Sequence, residues 1–291
     1  MVESCAGMKR EEFTIRTSDG LHLFAATFEP EDTAHGHVCL VHGIGEHFGR
    51  YAGLIEFMTD AGFGLTTFDL RGHGRSEGPI AHSPSLGMLM EDIDLVVSGS
   101  IEAHRGIPHF IFGHSMGACL VLNYVLRRRP HLVGAIAASP GLRTTRPTPV
   151  WKMLLGRILS AIRPSHVFYN GLRAEDQSRD PEVVRALRSD PFYRFLISAR
   201  LGMDVIQAGE WAIAHASEFP IPLLLMHGTA DRVTSWKATE EFAGKVPGDC
   251  TLKLWDGLYH ELHNEPEKEQ VLGYAVQWMR QTCEEERQAP G

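Results

Sequence analysis

His109-Phe110-Ile111-Phe112-Gly113-His114-Ser115-Met116-Gly117 decides how the rest of this chain of 291 residues reads. Residues 109–112 have the length and character of a short buried strand, and a helical pattern runs from Met116 to Arg129. Between them a serine sits on a strand-to-helix turn. Such a turn needs neighbours without Cβ atoms two positions either side, which Gly113 and Gly117 supply. The helix N-terminus also favours negative charge developing at the hydroxyl. At a background of ~7% glycine the pentapeptide arises by chance about once in ten chains of this length. Its weight therefore comes from its surroundings.

Outward from that turn, short and continuously apolar runs recur at residues 37–41, 64–68, 132–138, 221–226 and 251–255. Helical patterns lie between them at 51–61, 85–102, 116–129, 236–245 and 267–284. Continuous rather than alternating runs are expected of strands covered on both faces. The alternation with helices predicts one doubly wound, mostly parallel sheet. Ahead of it, 12–16 and 21–28 read as a hairpin turning at Ser18-Asp19-Gly20. About 80 residues separate the run ending near Ser139 from the one starting at Ile221, with helical patterns and no clear strand. That is too long for an ordinary connection and predicts an inserted helical cap, 141–217, with 1–140 and 218–291 forming the catalytic domain. The tail, 284–291, is expected to fray.

A serine nucleophile needs a general base, and the base needs an acid to fix its tautomer. In a doubly wound hydrolase they follow in the order Ser, acid, His on loops at strand ends. After the run 221–226 comes His227-Gly228-Thr229-Ala230-Asp231-Arg232, and after 251–255 comes Asp256-Gly257-Leu258-Tyr259-His260. Asp231 and His260 therefore stand as acid and base to Ser115. His227 and His263 rival His260, the first preceding the acid and the second lying further from the strand. Asp256 rivals Asp231 but sits only four residues before the histidine.

An oxyanion hole needs two backbone N–H groups. One is expected from Met116, and the other from Ile44 in His42-Gly43-Ile44-Gly45-Glu46-His47, which follows the run 37–41. The glycine-rich loop 69–76 also follows a strand, but the triad is filled without it and it reads as scaffolding.

These motifs, with Ala230-Asp231-Arg232 and Tyr259-His260-Glu261-Leu262-His263, resemble the monoacylglycerol lipases of the α/β-hydrolase superfamily over residues 12–140 and 218–280. The resemblance implies the α/β-hydrolase fold, with a mostly parallel central sheet flanked by helices and an inserted helical cap. It also implies hydrolysis of monoacylglycerol, a lipid ester, to fatty acid and glycerol through an acyl-enzyme on Ser115. It sets the oxyanion donors on Ile44 and Met116 and the glycerol-holding residues on Glu46, Arg50, His114 and His263. Ile44 is bulkier than the alanine common at its position. Lysophospholipases and general carboxylesterases share most of the motifs, so the substrate stays open among them. An aminopeptidase of the same superfamily, or a binding protein that has lost the chemistry, fits less well.

Charge and composition exclude other classes. A net charge of −8 disfavours general nucleic-acid binding. The five cysteines, Cys5, Cys39, Cys119, Cys250 and Cys283, show no metal-ligand spacing and read as free thiols of a reducing cytoplasm. No secretory signal and no membrane-spanning run is read, and no metal or organic cofactor is implied. Within the cap, Trp151, Leu154, Leu155, Ile158, Leu159 and Ile162 form one helical stripe. Residues 141–165 carry five basic residues, Arg143, Arg146, Lys152, Arg157 and Arg163, and no acidic one. That pattern fits either transient docking at an anionic membrane surface, making the protein cytoplasmic and peripheral at membranes, or packing down over the catalytic domain.

Overall fold

The computed structural model describes residues 8–288. β1 (Lys9–Arg16) and β2 (His22–Glu29) form the antiparallel hairpin at one sheet edge. The chain then alternates through β3 (Gly36–Val41), α1 (Ala52–Asp60), β4 (Phe63–Phe68), α2 (Leu86–Ala103), β5 (His109–His114), α3 (Met116–Arg128) and β6 (Gly134–Ala138). A long excursion follows: α4 (Val150–Ile162), β7 (Val167–Tyr169), α5 (Pro181–Ser189), β8 (Leu196–Ser198) and α6 (Ala199–Ala214). The chain returns with β9 (Leu223–Gly228), α7 (Trp236–Ala243), β10 (Cys250–Trp255) and α8 (Lys268–Gln288).

Eight strands make one sheet in the order β1-β2-β4-β3-β5-β6-β9-β10, parallel from β4 onward. Every residue of β3, β4, β5, β6 and β9 is buried, which is why their sequences are continuously apolar. Alternate side chains build two cores. Val41, Ile111, Ala137 and Leu225 meet α2, α3 and α6 on one face. Leu40, Phe112, Ile136 and Met226 meet α1 and α8 on the other. The α/β-hydrolase architecture expected from the sequence is the one observed.

Some boundaries move. His227 and Gly228 lie inside β9, so that strand runs two residues beyond the expected end at Met226. The stretch 284–288, expected to fray, continues α8, and residues 289–291 lie outside the described part. The excursion contains two three-residue strands, β7 and β8, paired antiparallel, where none was expected. Strands so short carry no period to read. Cys39, Cys119 and Cys283 are buried and Cys250 partly so; all four are unpaired, and Cys5 lies outside the described residues. Among the described residues no helix is long and apolar enough to cross a membrane.

The excursion is attached unevenly. Leu201, Ala212 and Ile213 of α6 belong to the main core, whereas Ala174, Leu187 and Tyr193 form a small core of their own. Helix α4 packs on α6, with Gly156 close to Met203, and has no buried residue. Its stripe faces outward: Trp151 is 64%, Leu154 59% and Ile162 72% exposed. The stripe therefore does not pack down on the rest of the described chain.

Candidate active site

Ser115 occupies the turn between β5 and α3 with φ 56° and ψ −120°, a strained conformation for a residue with a Cβ. Close packing makes the turn possible only with glycine neighbours. A Cβ on Gly113 would lie 2.6 Å from the Ala118 Cα, and one on Gly117 would lie 2.2 Å from the Val41 carbonyl oxygen. Ser115 is 6% exposed.

The loops after β9 and β10 bring the other two members to it. His260 Nε2 lies 2.8 Å from Ser115 Oγ, and His260 Nδ1 lies 2.7 Å from Asp231 Oδ2. Asp231 also accepts from the Val233 and Thr234 N–H groups and from the Thr234 hydroxyl. Burial raises its pKa, but the His260 and His227 rings beside it hold the carboxyl far below the usual range. Burial likewise opposes an imidazolium at His260, yet Asp231 outweighs it, so His260 titrates above its ordinary value. The rival residues are elsewhere. His227 sits on the far side of the acid, 3.1 Å from Asp231 Oδ2, and its other nitrogen is 2.7 Å from Thr239 Oγ1. Asp256 is exposed and accepts from Thr229.

The loop after β3 faces the same serine. Among the described residues neither the Ile44 nor the Met116 N–H donates to another protein group. Two bonds brace this loop from the 69–76 segment: Asp69 Oδ1 accepts from Phe48 N–H, and Leu70 N–H donates to His42 Nε2. Arg71 in turn is locked between Asp92 and Asp19. That segment supports the site without entering it.

Beside the triad lies a buried polar cluster. Glu46 Oε1 accepts from Gly43 N–H and from the Tyr51 hydroxyl. His114 Nδ1 is 3.3 Å from the same oxygen, and its Nε2 is 3.2 Å from the His260 carbonyl oxygen. Arg50 Nη2 reaches both oxygens of Glu261 at 2.9 and 2.7 Å. Burial penalises the Glu46 carboxylate, but His114 and Arg50 hold it well below its ordinary pKa. His263 stacks on Tyr51 at 4.5 Å, and neither of its ring nitrogens has a partner. Burial, with His114 alongside, keeps that ring neutral. Thus Glu46, Arg50, His114 and His263 do gather at one place. Sequence reasoning missed Tyr51, Glu261 and Ser139, whose hydroxyl donates to the His260 carbonyl at 2.8 Å. Glu261 lies within the run Tyr259–His263, and a carboxylate placed between two histidines was the available signal.

The excursion roofs the site by backbone bonds on both sides. Arg194 N–H donates to Gly45 O at 2.6 Å, and Glu261 N–H donates to Gln177 O at 2.7 Å. Tyr193 lies under the Arg50 guanidinium, 5.4 Å from ring centre to carbon.

Over residues 32–267 the chain matches the family described as serine aminopeptidase, S33. The chain belongs to this α/β-hydrolase family. A monoacylglycerol lipase of Mycolicibacterium smegmatis is 30% identical to it over 272 residues, 93% of this chain and 97% of that protein. An uncharacterized abhydrolase domain-containing protein of Dictyostelium discoideum is 36% identical over 271 residues, 92% of this chain. This chain spans 29% of that relative's length. The crystal structure of Paleococcus ferrophilus monoacylglycerol lipase matches with a TM-score of 0.82 at 36% identity, covering 89% of this chain and 99% of that one. As a member of this α/β-hydrolase family with such relatives, the chain is a carboxylic ester hydrolase.

Proposed function

We propose that the chain hydrolyses monoacylglycerols to fatty acid and glycerol through an acyl-enzyme on Ser115. The observation that carries this reading is the unbroken relay from Ser115 Oγ through His260 to Asp231, at 2.8 and 2.7 Å. His260 takes the hydroxyl proton as Ser115 attacks the ester carbonyl, and the N–H groups of Ile44 and Met116 hold the oxyanion. His260 then returns the proton to the departing glycerol, and water releases the acid by the same route.

The alcohol is assigned from the polar cluster. A buried histidine with two unpartnered nitrogens, His263, suits a substrate hydroxyl, beside Glu46, Arg50 and His114. The same cluster argues against an aminopeptidase, which needs a free carboxylate to hold the substrate amine. Here Arg50 already neutralises Glu261 and stands 3.6 Å from Glu46. Initial rates on monoacylglycerols of graded chain length, lysophospholipids, short p-nitrophenyl esters and aminoacyl amides test this. Monoacylglycerols should give the highest kcat/KM, and His263→Ala should raise KM for them alone. A preference for lysophospholipids or amides would overturn the substrate assignment.

In this reading residues 141–217 act as a cap on a catalytic domain made of 1–140 and 218–291, and α4 docks the cap transiently on a membrane surface. Its outward apolar stripe supports this, with the exposed Arg146, Lys152, Arg157 and Arg163 around it. Arg143 is not part of that surface, being paired with Glu210 and Glu241. Anionic phosphatidylserine vesicles should retain the wild type and release a Trp151→Ser/Leu154→Ser variant; equal retention would sink the docking role.

A further inference from the structure

At the opposite end of β3 from the oxyanion loop, three side chains far apart in sequence converge. Glu29 ends β2, His37 is the second residue of β3, and His104 follows the last turn of α2. Glu29 Oε1 lies 2.8 Å from His104 Nε2 and 3.9 Å from His37 Nδ1, and the three donor atoms all fall within 4.8 Å of one another. His37 Nδ1 is buried without a hydrogen-bond partner, and Glu29 Oε1, also buried, has only its 2.8 Å contact with His104 Nε2. Native proteins seldom leave a buried polar atom such as His37 Nδ1 unsatisfied.

Their outer partners fix what these atoms can do. His104 Nδ1 is 2.9 Å from the Ser100 carbonyl, which can only accept, so Nδ1 carries a proton and Nε2 is the nitrogen left to face Glu29. His37 Nε2 is 2.8 Å from Thr66 Oγ1, and that hydroxyl can pass its own proton to Thr27 Oγ1 at 3.0 Å, leaving His37 Nδ1 bare. The Glu29 carboxylate oxygen and one nitrogen of each ring lie within 4.8 Å of one another, and a tilt of His104 out of its stack on His37 would let both rings face one cation. Histidines whose second nitrogen is tied to a carbonyl or hydroxyl are the usual arrangement around a bound metal.

Space and access are also present. A Cβ on Gly64 would stand 2.5 Å from His37 Nδ1 and 2.9 Å from Glu29 Oε2, so the glycine leaves room in front of both. Glu29, Thr66, Ser100 and His104 line a cavity of about 880 Å³ that reaches the surface at Lys9 and Arg10 and can supply water as a fourth ligand. His37 and His104 stack at 3.9 Å. The His104 side chain, 21% exposed, is the one free to tilt and close on an ion at about 2 Å.

We propose that Glu29, His37 and His104 form a binding site for a divalent transition-metal ion of zinc type, which ties β2, β3 and α2 together away from the catalytic loops. Two nitrogens and one carboxylate oxygen suit zinc in preference to magnesium or calcium.

Isothermal titration of the full chain with zinc chloride near neutral pH, paired with thermal unfolding, tests this. The wild type should take up one ion and unfold at a higher temperature with it. In Glu29→Gln and His104→Asn the affinity should fall by more than about tenfold, and Thr66→Val should weaken it by about tenfold through His37. Ester hydrolysis without zinc should be unchanged in all three, showing that they fold. Blocking Ser115 with a fluorophosphonate should leave the ion bound, which separates this site from the catalytic histidine. Titrations that coincide between wild type and variants, or no uptake by the wild type, would overturn the proposal and leave an ordinary Glu29–His104 ion pair.

Discussion

Helices α3 and α4 are each thirteen residues long and each carries leucine, isoleucine or valine on most turns. In α3 all of residues 116–126 are buried; in α4 no residue is. The reason is position. Helix α3 lies against β5 and β6 with α2 and α6 around it, so nearly every side chain finds a neighbour. Helix α4 rests on α6 and presents its broader apolar side to solvent. Apolar content says how much surface a helix would gain by covering, and not whether its own chain covers it. Where the fold covers the helix, as at α3, the helix can hold a strained serine at its N-terminus. The uncovered helix is left with a surface suited to something outside the chain.

That contrast can be broken at several scales. The largest effect should come at the head of α3. Ser115→Ala should lower ester hydrolysis by roughly 10⁴- to 10⁶-fold in steady-state assays, and near wild-type turnover would remove α3 from the chemistry. Next is the acid that serves it. Asp231→Asn should cost about 10⁴-fold in kcat. In the wild type, neutral His260 is the active form and its pKa is raised. Activity should therefore appear as pH rises, with the midpoint of kcat/KM above the ordinary histidine value of about 6.5. Asp231→Asn should move that midpoint down, since the charge that raises it is gone.

Smaller effects separate the two helices by stability alone. Leu120→Ala in α3 should cost about 2–5 kcal/mol in denaturant unfolding, as a buried leucine does. Leu154→Ala in α4 should stay within about 0.5 kcal/mol. Equal losses would mean that α4 is covered in solution. Smallest of all, Trp151→Ser should leave hydrolysis of a dispersed short ester unchanged.

Much of this was legible beforehand. Strands β3, β5 and β9 are buried on both faces, so their runs announce themselves, and the loops bearing Ile44, Ser115 and Asp231 follow them. Ser115, Asp231 and His260 could be named because each stands at such an end. The polar cluster was only partly legible. Arg50 and Glu261 lie 211 positions apart, and nothing local marks their pairing. Strands β7 and β8 are too short to show a period. The amphipathic pattern of α4 is the same whether its stripe is covered or bare, so only its place in the fold decides it. Glu29, His37 and His104 lie on three elements with no motif spacing, so nothing in the sequence marks the proposed metal site.

The central claim is that Ser115 forms the covalent intermediate. Its most direct measurement is mass spectrometry of proteolytic peptides after brief acid quench during turnover of a monoacylglycerol, alongside fluorophosphonate labelling. The account predicts a fatty-acyl mass, and the probe's mass, on the peptide containing Ser115, with both absent from Ser115→Ala. An adduct on another residue, or full labelling of the Ser115→Ala protein, would contradict it.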